Sequence, residues 1–209
     1  MKLASTLGLS VIILGMSGSL FGCTSESSPE PEGPVALTGQ ELSGNWVSSE
    51  CEAYPNGQGG YNYLTRDFTL TDKTWTLDLD LFGDEACSYP LFSAHIEGPY
   101  TLGDVSEKVE GATEGQFGIV KNDWTAHDAS MAEVFGQAGC GTGTWEVGQA
   151  QDVTKTGCIG VAHVVEQCPE EFDIVAVEGD KLFFGERITD MCTEAGRPAQ
   201  LVTFAVVKK

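Results

Sequence analysis

The sequence predicts an all-β protein built as a single antiparallel β-barrel. From residue 42 onward, apolar and polar residues alternate with the two-residue period of a strand, and helical spacing is rare. Short segments rich in Gly, Asp and Asn separate the alternating runs. Each run has one apolar face, so that roughly eight strands must pack as a sandwich or close into a barrel. We favour the barrel.

The strands are best defined in the first half of the domain. Residues 74–82, TWTLDLDLF, have apolar side chains on one face and Thr or Asp on the other. Residues 61–72, YNYLTRDFTLTD, alternate in the same way and carry Arg66 on the apolar face. Residues 91–102 and 110–120 continue the pattern, with glycines that indicate bulges or tight curvature.

The second half is predicted to contain at most one short helix, followed by further strands. Within residues 122–137, NDWTAHDASMAEVFGQ, the apolar residues Met131, Val134 and Phe135 keep helical spacing, and Asp128 or Ser130 can act as N-cap. Residues 171–188 have Glu-Gly-Asp between two apolar runs, which is a hairpin signal. Residues 199–209 predict a final strand.

The N-terminus is organised as an export signal. Residues 1–22 combine one positive charge, an apolar centre and small residues before Cys23. The ending Leu-Phe-Gly-Cys resembles a bacterial lipobox, which predicts a lipoprotein with diacylglycerol and palmitate on Cys23, and Thr24 favours the outer membrane of the cell envelope. An uncleaved helical anchor is the alternative. Residues 23–40 are predicted to be a disordered tether, and residues 41–209 a single barrel domain.

The six remaining cysteines predict three disulfides, because six is even and an exported chain reaches an oxidising compartment. They are Cys51, Cys87, Cys140, Cys158, Cys168 and Cys192. The sequence leaves their pairing open. We favour Cys51–Cys87, because two strands leave the first cysteine and return to the second; Cys140–Cys158 and Cys168–Cys192 follow only from proximity. The glycine-rich segment 138–158 then becomes a disulfide-tied loop.

The composition is strongly acidic. The net charge is −20, and it becomes −21 when Lys2 is removed with the signal. This charge disfavours nucleic acid and anionic lipid head groups as partners. It permits a basic protein partner or divalent cations, and it is equally typical of an exported protein whose surface charge keeps it soluble.

Catalytic patterns are scarce. The sequence has no Gly-x-Ser-x-Gly elbow, phosphate-binding loop or His-Glu-x-x-His motif. The histidines lack the spacing of metal ligands; they are His95, His127 and His163. One acidic cluster has calcium-type oxygen ligands but not the spacing of a known loop, and a solvated face is favoured for Asp78, Asp80, Asp84 and Glu85. We therefore expect no enzymatic activity, no metal and no cofactor.

Trp46 lies in a Gly-x-Trp motif at the start of the first predicted strand. The motif resembles the opening of lipocalins, in which the tryptophan closes one end of the barrel and an arginine packs across it. The resemblance implies that Arg66 or Arg187 stacks on the Trp46 ring.

Residues 42–70, LSGNWVSSECEAYPNGQGGYNYLTRDFTL, resemble the opening of the domain found in adenomatosis polyposis coli down-regulated proteins. The matching residues are Gly44, Trp46, Ser48, Cys51, Glu52, Pro55, Leu64, Thr65 and Arg66. Cys87 with Pro90, and GATEGQF at 111–117, are also similar to the family pattern. The resemblance covers residues 42–119.

The resemblance implies a β-barrel that accommodates lipid. The animal members have two barrels, lie on the cell surface and antagonise Wnt signalling by receiving the Wnt acyl chain. This chain has room for one barrel, and a bacterial lipoprotein has no Wnt to bind, so the fold and an apolar cavity are expected here but the partner is not.

The expected function is non-enzymatic binding of an apolar ligand such as an acyl chain. The residues expected to line the site are Trp46, Arg66, Trp75, Leu77, Leu79, Phe92, Ile96, Tyr100 and Phe117. A barrel filled by these same side chains is the structural alternative. The alternative function is an acidic interaction module that captures or inhibits a basic protein.

Overall fold

A computed structural model describes residues 34–56, 59–159 and 161–209. The predicted signal at 1–22, the lipidation site Cys23 and the first part of the tether lie outside the described residues. Residues 34–209 form one compact unit.

The described residues contain eleven strands, two α-helices and a 3₁₀ turn. In chain order they are α1 (Gly39–Leu42), β1 (Gly44–Ser48), β2 (Glu52–Pro55), β3 (Tyr61–Leu70), β4 (Thr74–Phe82), β5 (Pro90–Val105), β6 (Thr113–Gly118), β7 (Lys121–Ala126), α2 (Ala129–Gln137), β8 (Ala150–Asp152), β9 (Glu170–Glu178), β10 (Lys181–Phe184), the 3₁₀ turn (Glu194–Gly196) and β11 (Val206–Lys208).

Eight of these strands close into an antiparallel barrel. Around the barrel the order is β1, β3, β4, β5, β6, β9, β10 and β11, and β11 pairs back with β1. Closure satisfies both edges of every barrel strand, which is why roughly eight strands with one apolar face adopt it. The predicted fold class is confirmed.

The long strand β5 changes partners halfway along one edge. Phe92–Glu97 pair with β7, whereas Tyr100–Val105 pair with β6. The change occurs at Gly98, where a Cβ atom would lie 2.0 Å from the Gly118 carbonyl oxygen, so only glycine permits this approach. The partner change adds β7 and β8 beside the barrel and brings α2 with them.

Two predicted elements have local causes that the structure confirms. The α2 helix begins after Asp128, whose side chain accepts a hydrogen bond from the Met131 amide, so Asp128 is the N-cap. The β9–β10 hairpin turns through Gly179, which has φ 65°, and Asp180.

Two apolar clusters fill the inner faces of the sheet. The barrel cluster lies towards the end of the barrel at which β1 begins, which we call the β1 end. It comprises Leu42, Trp46, Phe68, Leu70, Trp75, Leu77, Tyr100, Phe117, Val175, Leu182, Phe184 and Val206. The α2 cluster comprises Phe92, Ala94, Trp124, Ala126, Phe135, Cys140, Trp145, Val153 and Cys158. Leu79 and Ile96 pack against both clusters, so that the two are continuous.

The three favoured disulfides are all present: Cys51–Cys87, Cys140–Cys158 and Cys168–Cys192. Among the described residues, no helix has the length and apolar character needed to cross a membrane.

The two ends of the domain differ from the sequence-based expectation. Part of the predicted tether is structured, because Thr38 and Glu41 form a capping box that starts α1 and the Leu37 amide donates to Thr113 Oγ1. The final strand is limited to Val206–Lys208. Part of the preceding segment instead supports the end of the barrel at Arg66, which we call the barrel mouth. There the Phe204 carbonyl accepts a hydrogen bond from Arg66.

Candidate functional site

The β1 end of the barrel is filled by its own aromatic side chains. The Phe117 ring lies 5.6 Å from Trp75, 5.5 Å from Tyr100 and 5.8 Å from Phe184, centroid to centroid, and Phe184 stacks on Phe68 at 4.6 Å. Such offset and edge-on contacts add to the stabilisation from area burial. This part of the interior therefore has the packing of a core.

Trp46 lies at the bottom of the barrel cluster and is 1 % exposed. Its Nε1 donates to the Leu42 carbonyl at 2.7 Å, so α1 covers this end. The cation over its ring is Lys208, with Nζ 5.2 Å from the centroid. The arginine expected from the lipocalin resemblance is replaced in this position by a lysine, because β11 pairs directly with β1 and sets Lys208 opposite Trp46.

Arg66 instead forms a buried ion pair with Glu52. Its Nε lies 3.0 Å from Glu52 Oε2 and its Nη2 lies 3.1 Å from Oε1, and Nη2 also donates to the Phe204 carbonyl. Ser48 Oγ donates to the same carboxylate at 2.6 Å. Burial raises the pKa of the neighbouring Tyr54 to about 12. The pair ties β2 and the C-terminal segment to β3 at the mouth of the barrel.

A second group of charges lines the inner face of β9 near the same mouth. Arg187 Nη2 lies 2.6 Å from Glu171 Oε2 and 4.0 Å from Asp173 Oδ2. Burial acts to raise the pKa of Glu171, but Arg187 outweighs it and the pKa is lowered. Burial raises the pKa of Asp173 to about 6, although Arg187 and hydrogen bonds from the Ile174 and Gly185 amides oppose the shift.

The outer face of β3, β4, β5, β7 and β8 has a charged row at one register position. Five residues lie side by side across these strands: Asp67, Asp78, His95, Asp123 and Asp152. Nearby cations partly balance it, since Lys209 pairs with Asp67 and Lys121 with Asp123. We call this set the acidic row.

Next to the acidic row, Ser93 lies between a carboxylate and an imidazole. Ser93 Oγ is 2.5 Å from Asp80 Oδ1 and 2.5 Å from His127 Nε2. A carboxylate only accepts, so Ser93 donates to Asp80 and His127 Nε2 donates to Ser93. A serine nucleophile requires the opposite arrangement, with the hydroxyl donating to a histidine base.

The described residues contain one group with possible metal-ligand geometry: His163, Asp190 and Cys192. Cys192 is bonded to Cys168, so its sulfur is not a thiolate ligand. In the acidic cluster singled out from the sequence, Asp78 pairs with His95 and Asp84 accepts hydrogen bonds from Ser88 and Tyr89. These contacts give both carboxylates partners within the chain.

An apolar groove of about 560 Å³ lies beside α2, and we call it the α2 groove. One wall is a flank of the helix, and the other is the loop after it; the lining residues are Ala129, Ala132, Glu133, Gly136, Gly143, Thr144, Trp145 and Val147. Trp145 is fixed by a hydrogen bond from Nε1 to the Cys140 carbonyl and by ring contact with Phe135 at 4.8 Å. The groove thus opens onto the α2 cluster.

The disulfide-tied loop, residues 138–158, also supports the wall of this groove. Cys140 and Cys158 are buried in the α2 cluster, and their bond closes the segment that supports Trp145. A smaller concave site of about 220 Å³ lies elsewhere, near Glu52, Lys181 and Phe204.

The pattern shared with known proteins extends over most of the domain. The sequence model of the family described as adenomatosis polyposis coli down-regulated 1 matches residues 32–191, well over half of the chain. The chain belongs to this family. The matched range contains strands β1 to β10, the α2 groove, and the two disulfides Cys51–Cys87 and Cys140–Cys158. Of the third disulfide it contains Cys168 but not Cys192.

The family motif residues have clear structural positions in this chain. Gly44 and Trp46 begin β1, and Glu52 and Arg66 form the buried ion pair. Most of the expected ligand-lining residues do converge in the barrel cluster or beside it. Phe92 does not: it stacks on Trp124 at 4.7 Å in the α2 cluster, because β7 replaces β6 beside this part of β5.

Sequence reasoning missed the α2 groove and the residues that form it. Its walls join a helix flank to a loop that has no periodicity, so no pattern marked them as one site. A usable signal was present nonetheless, since Trp145 is the single aromatic residue within the glycine-rich segment 138–158.

Proposed function

We propose that this chain is a non-enzymatic β-barrel protein that binds an apolar ligand such as an acyl chain. The proposal also places it at the bacterial cell envelope, attached through a lipid on Cys23, and the intact mass of the exported protein checks that attachment. Family membership and the barrel fold support a binding role. The donor order at Ser93 supports the absence of acyl-transfer catalysis at that serine.

The observation that carries the proposal is the α2 groove. Its volume falls in the range of roughly 300–1,000 Å³ typical of small-molecule sites, and its lining is mostly apolar. Its floor, Trp145, contacts Phe135, which in turn contacts Phe92 and Trp124. An apolar chain in the groove would extend this aromatic cluster and be removed from water.

The filled β1 end of the barrel favours the groove over the deepest part of the interior. A ligand among Trp75, Tyr100 and Phe117 would have to separate rings already in contact. Phe92 lies in the α2 cluster and Leu79 and Ile96 pack against it, but none of the residues expected from the sequence to line the site lines the groove itself.

Filling the groove should weaken ligand binding without unfolding the protein. A Cβ atom on Gly136 meets only Trp145 Cδ1, at 4.0 Å, so Gly136→Trp is expected to place its ring in the groove. Replacing a helix glycine also removes a local destabilisation. We expect affinity for a fluorescent acyl chain to fall by at least about tenfold, equivalent to about 1.4 kcal/mol. Fluorescence titration measures it.

The matched control is Val134→Trp, which adds the same ring at an exposed position of the same helix that does not line the groove. It should bind like the wild type. Native mass spectrometry after mild extraction should also show an acyl species on the wild type and none on Gly136→Trp. A wild-type protein with a clean ligand-free mass and no fatty-chain uptake would contradict the proposal.

The acidic row supports a second candidate function, docking of a basic protein. The side chain of Asp78 is 64 % exposed and that of Asp67 is 44 % exposed on the outer face of the sheet, and the chain carries a net charge of −20. Capture of a basic partner from envelope extract should weaken steeply at high salt, because exposed charge pairs are screened. Retention that does not depend on salt, or on substitution of Asp67 and Asp78 by Asn, would exclude this candidate.

A further inference from the structure

The walls of the α2 groove contain no basic residue. Residues 122–154 include both walls and the loop between them, and they contain neither lysine nor arginine. The two flanking lysines interact with other carboxylates. Lys121 Nζ lies 3.0 Å from Asp123 Oδ2. The pKa of Asp152 is lowered by hydrogen bonds from Thr154 and by the positive charge of Lys155. A ligand with an anionic head group therefore meets no lysine or arginine from this segment.

The charge that the groove does present is negative. Glu133 is its single charged lining residue, and it is exposed at the helix wall. Its Oε1 accepts a hydrogen bond from Gln137 Nε2, one helical turn further along, at 2.8 Å. Glu146 follows Trp145 in the opposite wall and adds a second carboxylate to that loop.

We infer that the α2 groove selects single-chain amphiphiles whose head group is positively charged, such as an alkylammonium, and discriminates against a carboxylate of the same chain length. The apolar walls take the chain, and Glu133 takes the head group. The inference rests on the proposed function, because it names the class of apolar ligand for the same groove.

The expected discrimination is modest because the carboxylate is exposed. An exposed ion pair changes affinity by about two- to fivefold, and repulsion of an anion by Glu133 acts in the opposite direction with similar size. Alkylamine and alkyl carboxylate of equal length should therefore differ by about tenfold at low salt. The difference should shrink at high salt, since the charges are screened.

Competition binding with the full-length exported protein tests the inference. Dodecylamine, dodecanol and dodecanoate, each below its aggregation concentration at neutral pH, displace the uncharged probe N-phenyl-1-naphthylamine. The wild type should prefer amine over alcohol and alcohol over carboxylate. Glu133→Gln should bring the amine and the carboxylate closer together, and Glu133→Lys should reverse their order while leaving dodecanol unchanged.

A matched control separates the local charge from the net charge of the protein. Glu110→Lys makes the same charge change on the exposed loop between β5 and β6 and should leave the order of the three compounds as in the wild type. Equal affinity for amine and carboxylate, or a reversal by Glu110→Lys as large as that by Glu133→Lys, would overturn the inference. Failure of all three compounds to displace a bound probe would also overturn it, whereas failure of the wild type to bind the uncharged probe would count against apolar binding itself.

Discussion

Replacing Arg66 with methionine should lower the free energy of unfolding by about 3–5 kcal/mol. The substitution leaves Glu52, which is 2 % exposed, as a buried carboxylate without its guanidinium partner. It also removes the donor to the Phe204 carbonyl, which anchors the segment before β11. Urea denaturation of the wild type and the variant measures the difference.

Two further variants make that expectation specific to the buried pair. Arg66→Met combined with Glu52→Leu removes both charges, so much of the lost stability should return, because no unpaired charge remains. Lys121→Met breaks the exposed pair with Asp123 and should cost at most about 1 kcal/mol. A double variant that is no more stable than Arg66→Met would show that the pair is not the source of the loss.

Asp173→Asn should remove a pH-dependent part of the stability. Asp173 is 1 % exposed, and burial raises its pKa to about 6 from an ordinary value of 3.8. The folded protein thus binds the proton more tightly than the unfolded chain, and the stabilisation is complete below about pH 4 and lost as the pH rises through 6. Asparagine cannot ionise. The free energy of unfolding of Asp173→Asn, relative to that of the wild type, should therefore increase by about 2 kcal/mol from pH 4 to pH 7.

The geometry favours asparagine as the test residue. Its side-chain oxygen can still accept the Ile174 and Gly185 amides, which keeps the join between β9 and the end of β10. The charged groups facing this site are Arg187 and Glu171, and neither is altered. Denaturation of both proteins at several pH values measures the effect, and Asp104→Asn, at an exposed position, is the control. A pH profile unchanged by Asp173→Asn would refute the assignment.

Local patterns accounted for much of the fold. Alternation in TWTLDLDLF placed Trp75 and Leu77 inside, because successive side chains of a strand point to opposite faces. Asp128 as a helix cap and Gly179 in a hairpin turn are equally local, since each depends on a few consecutive residues. The disulfides agreed with the favoured pairing, which for two of them rested on proximity alone.

The candidate site was less accessible to such reasoning. Arg66 was expected over Trp46, and the structure instead gives Arg66 to Glu52 and Lys208 to Trp46. Both outcomes depend on pairings between distant segments. Lys208 reaches Trp46 only because the last strand returns to the first, and no spacing in the sequence records that return.

The sequence by itself determined the class of fold, the apolar face of most strands and the family signature around Trp46 and Arg66. These are properties of neighbouring residues, and the period of a strand or helix records them directly. Only the tertiary structure decided which apolar faces meet. At Gly98, strand β5 exchanges β6 for β7, which divides the inward residues between a filled barrel end and the α2 cluster. That exchange depends on hydrogen bonds and close backbone approach between segments far apart in the chain, and it creates the groove at Trp145.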